Sequence, residues 1–232
     1  MIKKIEIIYQ DQDIVVCHKM PGIPVQTSKA RQQDMVSLLR NHLAEQGEDS
    51  QIFIVQRLDQ PVEGLMVFAR TKHAAADLSR QSKERGMGKQ YLALAEGRFK
   101  QPCGTLEDYM LRDGRDNISS VVSGGMKGAK LAKLSYEVIK AWQPKETPGL
   151  ISLVRIKLNT GRHHQIRVQL AHDGHPLVGD RKYNPNCAQG YLPVALCSVK
   201  LAFCHPKDGR VMDFDIEKEL KMLGGIPLNT AE

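Results

Sequence analysis

Two stretches of the chain concentrate side chains that can do chemistry. In the first, Arg57 and Asp59 flank Leu58 within a polar segment, Gln56 to Gly64, set between the apolar runs Ile52 to Val55 and Leu65 to Ala69. Pro61 keeps this segment from being regular helix or a central strand. A loop held between two buried strands is a good place to display a carboxylate to a substrate. An Arg-x-Asp pair is also compatible with a surface ion pair of little energetic weight. The second stretch, Asn159 to Tyr183, reads NTGRHHQIRVQLAHDGHPLVGDRKY. It gathers arginines, histidines and other hydrogen-bonding groups around few large apolar residues, which is costly to bury unless each finds a partner. Thr160 is placed to cap a helix starting near Gly161, which would put His163 and Arg167 on one face. Gly174, Pro176 and Gly179 then require a shaped turn.

The elements around these stretches follow from hydrophobic spacing. Ile5 to Tyr9 and Asp13 to His18 read as strands joined by the turn Gln10-Asp11-Gln12, and Pro21-Gly22 breaks the pattern. Gln33 to Glu45 places Met35, Leu38, Leu39 and Leu43 at helical spacing. Thr71 is expected to cap a helix running to about Arg85, with Ala75, Ala76 and Leu78 on its inner face. Lys89 to Ala95, Ala132 to Trp142, Leu150 to Leu158, Val194 to Phe203 and Val211 to Asp215 read as strands. Successive strands without long helices between them predict an α+β fold with a mixed, largely antiparallel sheet. The stretch Arg112 to Lys130, rich in Gly, Ser and Lys, is expected to be a mobile loop or the joint between two subdomains. Residues 223–232 are expected to form a loosely held tail.

The chain has 232 residues, 41% hydrophobic and 25% charged, which fits a folded domain rather than a disordered chain. Its net charge of +7 suggests a polyanionic partner, since binding phosphates releases counterions; a merely basic, solvated surface is the plainer reading. Five scattered cysteines without Cys-x-x-Cys spacing suggest neither a disulfide framework nor a zinc site. His163, His164, His172 and His175 have irregular spacing and no Cys partners, so hydrogen bonding is favoured over metal ligation. No signal sequence or membrane-spanning run is evident, and the expected compartment is the cytoplasm.

Taken together, the motifs resemble those of the RluA family of pseudouridine synthases, which act on ribosomal and transfer RNA. The second stretch matches a family form TGRxHQIRxHLAxxGHPLVGD, and Arg57-Leu58-Asp59 leading into Gly64-Leu65 resembles the family's catalytic motif. Lys89-Gln90-Tyr91-Leu92-Ala93 and the opening Ile8 to Val25, with its Pro21-Gly22 turn, agree as well. The resemblance implies a sheet bent around a central catalytic cleft with helices on its faces. It implies isomerisation of specific uridines in structured RNA, ribosomal or transfer, without metal or organic cofactor. Asp59 becomes the catalytic carboxylate, Arg57 the side chain that helps displace the target base, Tyr91 the ring that stacks on uracil, and Arg167 the partner that holds Asp59 ionised. Arg162, His164, Gln165 and Lys89 become RNA- or base-binding residues. These roles suit the chemistry. A stacked base must be flipped out before its glycosidic bond can be reached, and the pocket must exclude water while the base is detached.

The sequence departs from the family pattern at Gln56, where a His is usual, at Val62 and Glu63, where small hydroxyl residues are usual, and at Gln169, which replaces a His. The small RNA-binding domain that precedes many relatives is not expected; residues 1–222 are read as a single catalytic domain, or two subdomains of one, and a monomer is expected. Lys127, Lys130 and Lys133 are then candidates for RNA recognition. Two other readings stay open. Asp59 and Glu63 could form a carboxylate pair for glycoside hydrolysis, and the chain could be a non-catalytic RNA-binding or ribosome-assembly factor on a synthase fold.

Overall fold

The longest apolar runs fold as strands buried along their whole length, and the alternating ones as half-exposed ribbons. The computed structural model describes residues 5–29, 31–84, 86–145, 149–187 and 193–228. In chain order the first elements are β1 (Glu6–Gln10), β2 (Ile14–Lys19), α1 (Met35–Glu45), β3 (Phe53–Ile54), β4 (Glu63–Ala69) and α2 (Lys72–Lys83). Then come β5 (Gly88–Glu96), β6 (Cys103–Asp113), β7 (Ile118–Val122), β8 (Lys130–Trp142), β9 (Ile151–Leu158) and α3 (Gln165–His172). The last are β10 (Leu196–Cys204), β11 (Val211–Asp215), a short 3-10 turn (Glu217–Glu219), β12 (Met222–Leu223) and β13 (Ile226–Pro227). A mixed, mostly antiparallel sheet with three helices makes this an α+β fold. Among the described residues no helix is long and apolar enough to cross a membrane.

The chain divides into two compact units, one of Met1–Lys89 with Ser198–Ile216, the other of Gln90–Cys197 with Glu217–Glu232. In the first, strands lie in the order β1-β2-β4-β10, with β3 also on β4 and β11 on β10. Ile14, Val15, Val16 and Cys17 of β2 and Met66 to Ala69 of β4 are wholly buried, as continuous apolar strands covered on both faces must be. Helix α1 lays Met35, Leu38, Leu39 and Leu43 onto this sheet, each worth about 2 kcal/mol of burial. Asp34 caps it through a reciprocal box: Ser37 N donates to Asp34 Oδ1 at 2.7 Å and Asp34 N to Ser37 Oγ at 3.1 Å. Helix α2 is capped by Thr71, as expected, and ends at Lys83. Its inner face is Ala74, Leu78 and Gln81, not Ala75 and Ala76, because positions four and three apart share a face. The expected end at Arg85 lies outside the described residues.

The second unit orders its strands β5-β9-β8-β6-β7, all antiparallel. Here two expectations are corrected. Arg112 to Lys130 is neither one loop nor the joint between units: Arg112 and Asp113 end β6, and Ile118 to Val122 form β7. The turn between them is built by Asp113, whose Oδ1 accepts from Arg115 N at 2.8 Å, and by Asn117 in the left-handed region at φ 52°. Residues 223–228 are not a loose tail either. Gly224 and Gly225, both at positive φ, make a two-residue hairpin turn joining β12 to β13, and Leu223 and Ile226 are fully buried. Residues 229–232 lie outside the described residues.

One position in the first unit admits no side chain. Gly64, at φ 125°, opens β4, and a Cβ there would stand 2.4 Å from the backbone of Ser198. Gly64→Ala is expected to cost on the order of 3 kcal/mol or more. Gly47→Ala, at φ 72° with open space around it, should cost only about 1 kcal/mol. Urea denaturation midpoints of the two variants check this, and equal losses would contradict it.

Candidate active site

The loop that carries Asp59 is held from beneath by a lysine. Lys19, fully buried at the end of β2, donates from Nζ to the carbonyls of Gln60 (3.0 Å), Met20 (3.3 Å) and Val62. Gln60 is gripped a second time by the turn after β2: Gly22 N donates to its carbonyl at 2.8 Å, and its side-chain amide donates to Gly22 O at 3.1 Å. Val62 N donates to Asp59 O at 3.1 Å, which closes the reverse turn around Pro61. Leu58 packs into the core formed by β2, β4 and α1, while Arg57 is exposed and Asp59 half-buried. The apolar residue between the two charged ones is therefore the anchor that fixes their position.

Three of the four departures from the family pattern, Gln56, Val62 and Glu63, sit in or beside this loop. Val62 is buried, and the half-buried Glu63 has its carboxyl pushed up by desolvation, against the opposing charges of His18 and Lys19. The Gln56 Nε2 atom is buried with no hydrogen-bond partner among the described residues. Lys89 ends the first unit at the start of β5. It is half-buried, and loss of hydration pushes its ammonium down to about 8.

In the second unit, the 159–183 stretch folds around Arg167. Helix α3 starts at Gln165, four residues later than Gly161, because His164 takes up the left-handed conformation at φ 55°. His163 is thus outside the helix and shares no face with Arg167. Thr160 does not cap it; its hydroxyl donates to Gln165 Oε1 at 2.8 Å and accepts from Lys133 N at 2.9 Å, tying the loop to β8. Gln165 is 3% exposed and has all its capacity used inside the protein. Its Oε1 accepts from Thr160 Oγ1 and from Arg162 N (2.9 Å), and its Nε2 donates to Lys133 O and to Gln169 Oε1. Through these bonds Gln165 shapes the loop under Arg162. Gln169 extends the chain of amides to Asp108 at 2.7 Å.

Arg167, 3% exposed, donates from Nε and Nη2 to the two oxygens of Asp180 at 2.8 and 2.7 Å. Its guanidinium carbon lies 5.1 Å from the centre of the Tyr183 ring. The Tyr183 hydroxyl accepts from Ser119 N at 2.9 Å and is 2.6 Å from His164 Nδ1. His164 stacks on His163, which hydrogen-bonds Ser119 and Asn117. Arg162 is exposed, its Nε donating to Leu131 O at 2.9 Å, which leaves its terminal amino groups for solvent or a ligand. Tyr91 lies in β5, 6% exposed. Among the described residues no group of three or more His, Cys, Asp or Glu side chains is placed to hold a metal.

The structure thus gathers Arg162, His164, Gln165 and Arg167 at the start of α3, with Tyr91 elsewhere in the same unit, while Arg57, Asp59 and Lys89 belong to the first unit. Lys19, Asp180 and Tyr183 are the residues to which sequence reasoning assigns no part. A lysine ending a largely apolar strand just ahead of Pro-Gly, and an Asp directly after a turn glycine, are the signals that could have pointed to them.

Comparison with known proteins places this architecture. Residues 13–172 match the RNA pseudouridylate synthase family, and the chain belongs to that family. It is 35% identical over 228 residues to an uncharacterized RNA pseudouridine synthase of Aquifex aeolicus, covering 92% of this chain and 69% of that protein. It is 37% identical over 185 residues to the ribosomal large subunit pseudouridine synthase D of Blochmanniella floridana, covering 78% of this chain and 54% of that one. The chain therefore spans roughly half to two thirds of the length of these relatives. In fold it resembles the human RNA pseudouridylate synthase domain containing 1, with a TM-score of 0.76 at 24% identity, covering 91% of this chain and 82% of that one.

The lysine pin makes a direct prediction. Lys19→Met keeps the volume but removes every donor, leaving the Gln60 and Val62 carbonyls without it, and should destabilise the protein by about 2 kcal/mol. Thermal or urea unfolding reads this; a variant as stable as wild type would show that the loop does not depend on Lys19.

Proposed function

We propose that the chain isomerises specific uridines in structured RNA, ribosomal or transfer, to pseudouridine, acting in the cytoplasm as a monomer and without a cofactor. Membership of the RNA pseudouridylate synthase family carries this reading, and the resemblance of the sequence motifs assigns Asp59, Arg57, Tyr91 and Arg167 to the site. Relatives named as ribosomal large subunit pseudouridine synthases D and C favour ribosomal RNA as the substrate. The net charge of +7 suits a phosphate-rich partner.

In this reading the bond from uracil N1 to C1′ breaks, the base turns while held, and a bond from its C5 to C1′ forms. The C5 hydrogen leaves as a proton and N1 gains one, so nothing is oxidised or reduced. Asp59 is the carboxylate that acts on the nucleotide, and Arg167 supplies the positive charge that keeps it ionised. Arg57, exposed on the same rigid loop as Asp59, helps displace the base from its stack. Tyr91 stacks on uracil. Arg162 and Lys89 contact phosphate, and His164 shapes the base site through its bond to Tyr183.

RNA carrying tritium at uridine C5 provides the first test. Wild type should release tritium into water without added metal, and Asp59→Asn should release none above background. Release of free uracil instead would indicate hydrolysis. Tight RNA binding by both proteins with no release from any RNA would favour the non-catalytic binding factor.

Lys89 generates a second expectation. Its ammonium is charged below about pH 8 and neutral above it, so its phosphate contact is present at pH 7 and lost as pH rises. The sign for stability is opposite. Folding disfavours the charged form, so the free protein gains stability between about pH 8 and the ordinary lysine value. RNA affinity should fall between pH 7 and 9.5, by up to about tenfold per unit above 8, and Lys89→Arg should flatten the profile. Filter binding across that range reads it, and identical profiles for the two proteins would remove Lys89 from the interface.

A further inference from the structure

A guanidinium that must serve a reacting group cannot wander, and Arg167 is held on two sides by residues with no assigned role. Asp180 is completely buried and takes the Nε–Nη2 edge of Arg167 side-on, at 2.8 and 2.7 Å. This is the geometry in which a fork of two N–H groups matches a carboxylate. Asp180 is itself fixed. Its Oδ1 accepts from Lys182 N at 3.0 Å, its amide donates to Leu177 O at 3.2 Å, and its carbonyl accepts from Asn184 N at 2.8 Å. The edge used by Asp180 takes two of the five N–H groups of the arginine. The same guanidinium lies over the Tyr183 ring, its carbon 5.1 Å from the ring centre. The Tyr183 hydroxyl is tied to the start of β7 through Ser119 and to the residue before α3 through His164.

We propose that Asp180 and Tyr183 are positioning residues for Arg167, the carboxylate fixing the edge and charge of the guanidinium and the ring restraining it from a second side. The proposal rests on the assignment of Arg167 to the catalytic carboxylate made above. A buried arginine needs a counter-charge in every state of the protein. Asp180 supplies it permanently, so Arg167 need not move when the carboxylate it serves is engaged with RNA. Tyr183 adds a contact from a second side, its ring centre 5.1 Å from the guanidinium carbon. Both act through Arg167, so their effect should fall on turnover rather than on RNA affinity.

The test is steady-state tritium release with Asp180→Asn, Tyr183→Leu and Tyr183→Phe, alongside RNA binding and thermal unfolding. Asp180→Asn keeps the shape but loses the charge and one accepting oxygen. It is expected to lower kcat on the order of 100-fold while KM stays within about threefold, as a displaced catalytic group does. Tyr183→Leu removes the ring without leaving a buried charge and should lower kcat about tenfold. Tyr183→Phe should rescue most of that loss, because it keeps the ring. If Asp180→Asn fails to fold, the Tyr183 pair decides alone. A folded Asp180→Asn with wild-type kcat, a loss confined to KM, or Tyr183→Phe as impaired as Tyr183→Leu would each overturn the proposal. A wild-type protein silent on every RNA would overturn the assignment beneath it instead.

Discussion

A buried ammonium has to direct its three N–H bonds into the protein, and Lys19 sends them to the chain on either side of Pro61 and to its own neighbour Met20. Backbone carbonyls in a short irregular loop have no ladder to satisfy them. The cost of burying the charge is therefore met by the same atoms that need donors. The consequence spreads outward. With Gln60 and Val62 fixed, the turn after β2 can close on Gln60 through Gly22, Leu58 can seat in the core, and β4 can begin at Glu63. The loop that carries the half-buried Asp59 is thus held by its backbone and by Leu58.

The second unit solves a related problem with side-chain amides. Its 159–183 stretch carries more polar groups than a buried segment normally tolerates, and nearly every one is consumed internally. Gln165 uses both ends of its amide, Gln169 passes the chain to Asp108, and Asp180 neutralises Arg167. A fully satisfied network of this kind fixes one arrangement of the loop, since any slip would strand several buried donors and acceptors together. Polar density in this stretch is thus the scaffold, and the groups left over for a ligand are few.

Much of this is legible in the sequence where a single local rule applies. Alternation, helical spacing and caps place β1, β2, α1, α2 and most strands within a residue or two, because the apolar residues there face one core. Motif order points to the family. What escapes are features fixed by short-range turn chemistry or by contacts distant in sequence. Strand β6 is hard to see because only Met110 along its length is buried, so its alternation carries little hydrophobic contrast. The Asp113-Gly114 and Gly224-Gly225 pairs are the hairpin signals that correct both misread loops. Local propensity misplaces the start of α3 because a left-handed His164 stands where a capping residue is favoured. Gln165 looks available because nothing in the sequence reveals that Lys133 and Thr160 already hold it.

The first unit is assembled from two separated stretches, with nearly the whole second unit inserted between them in the chain. Synthesis from the N-terminus delivers Lys19, Gly22 and the Asp59 loop early, yet the backbone of Ser198, against which Gly64 packs, emerges only after α3 and the 174–187 turns are complete. Sequential folding of autonomous domains during translation is closed to such a chain. The strand that follows the Asp59 loop can pair early with β2 and β3, but its contact with Ser198 must wait for a segment of high sequence separation, which is the kind of contact that slows folding. The order in which the protein becomes competent is thus written into its connectivity: the loop that displays Asp59 is among the first parts made, while the strand that leaves it is completed only when Ser198 arrives.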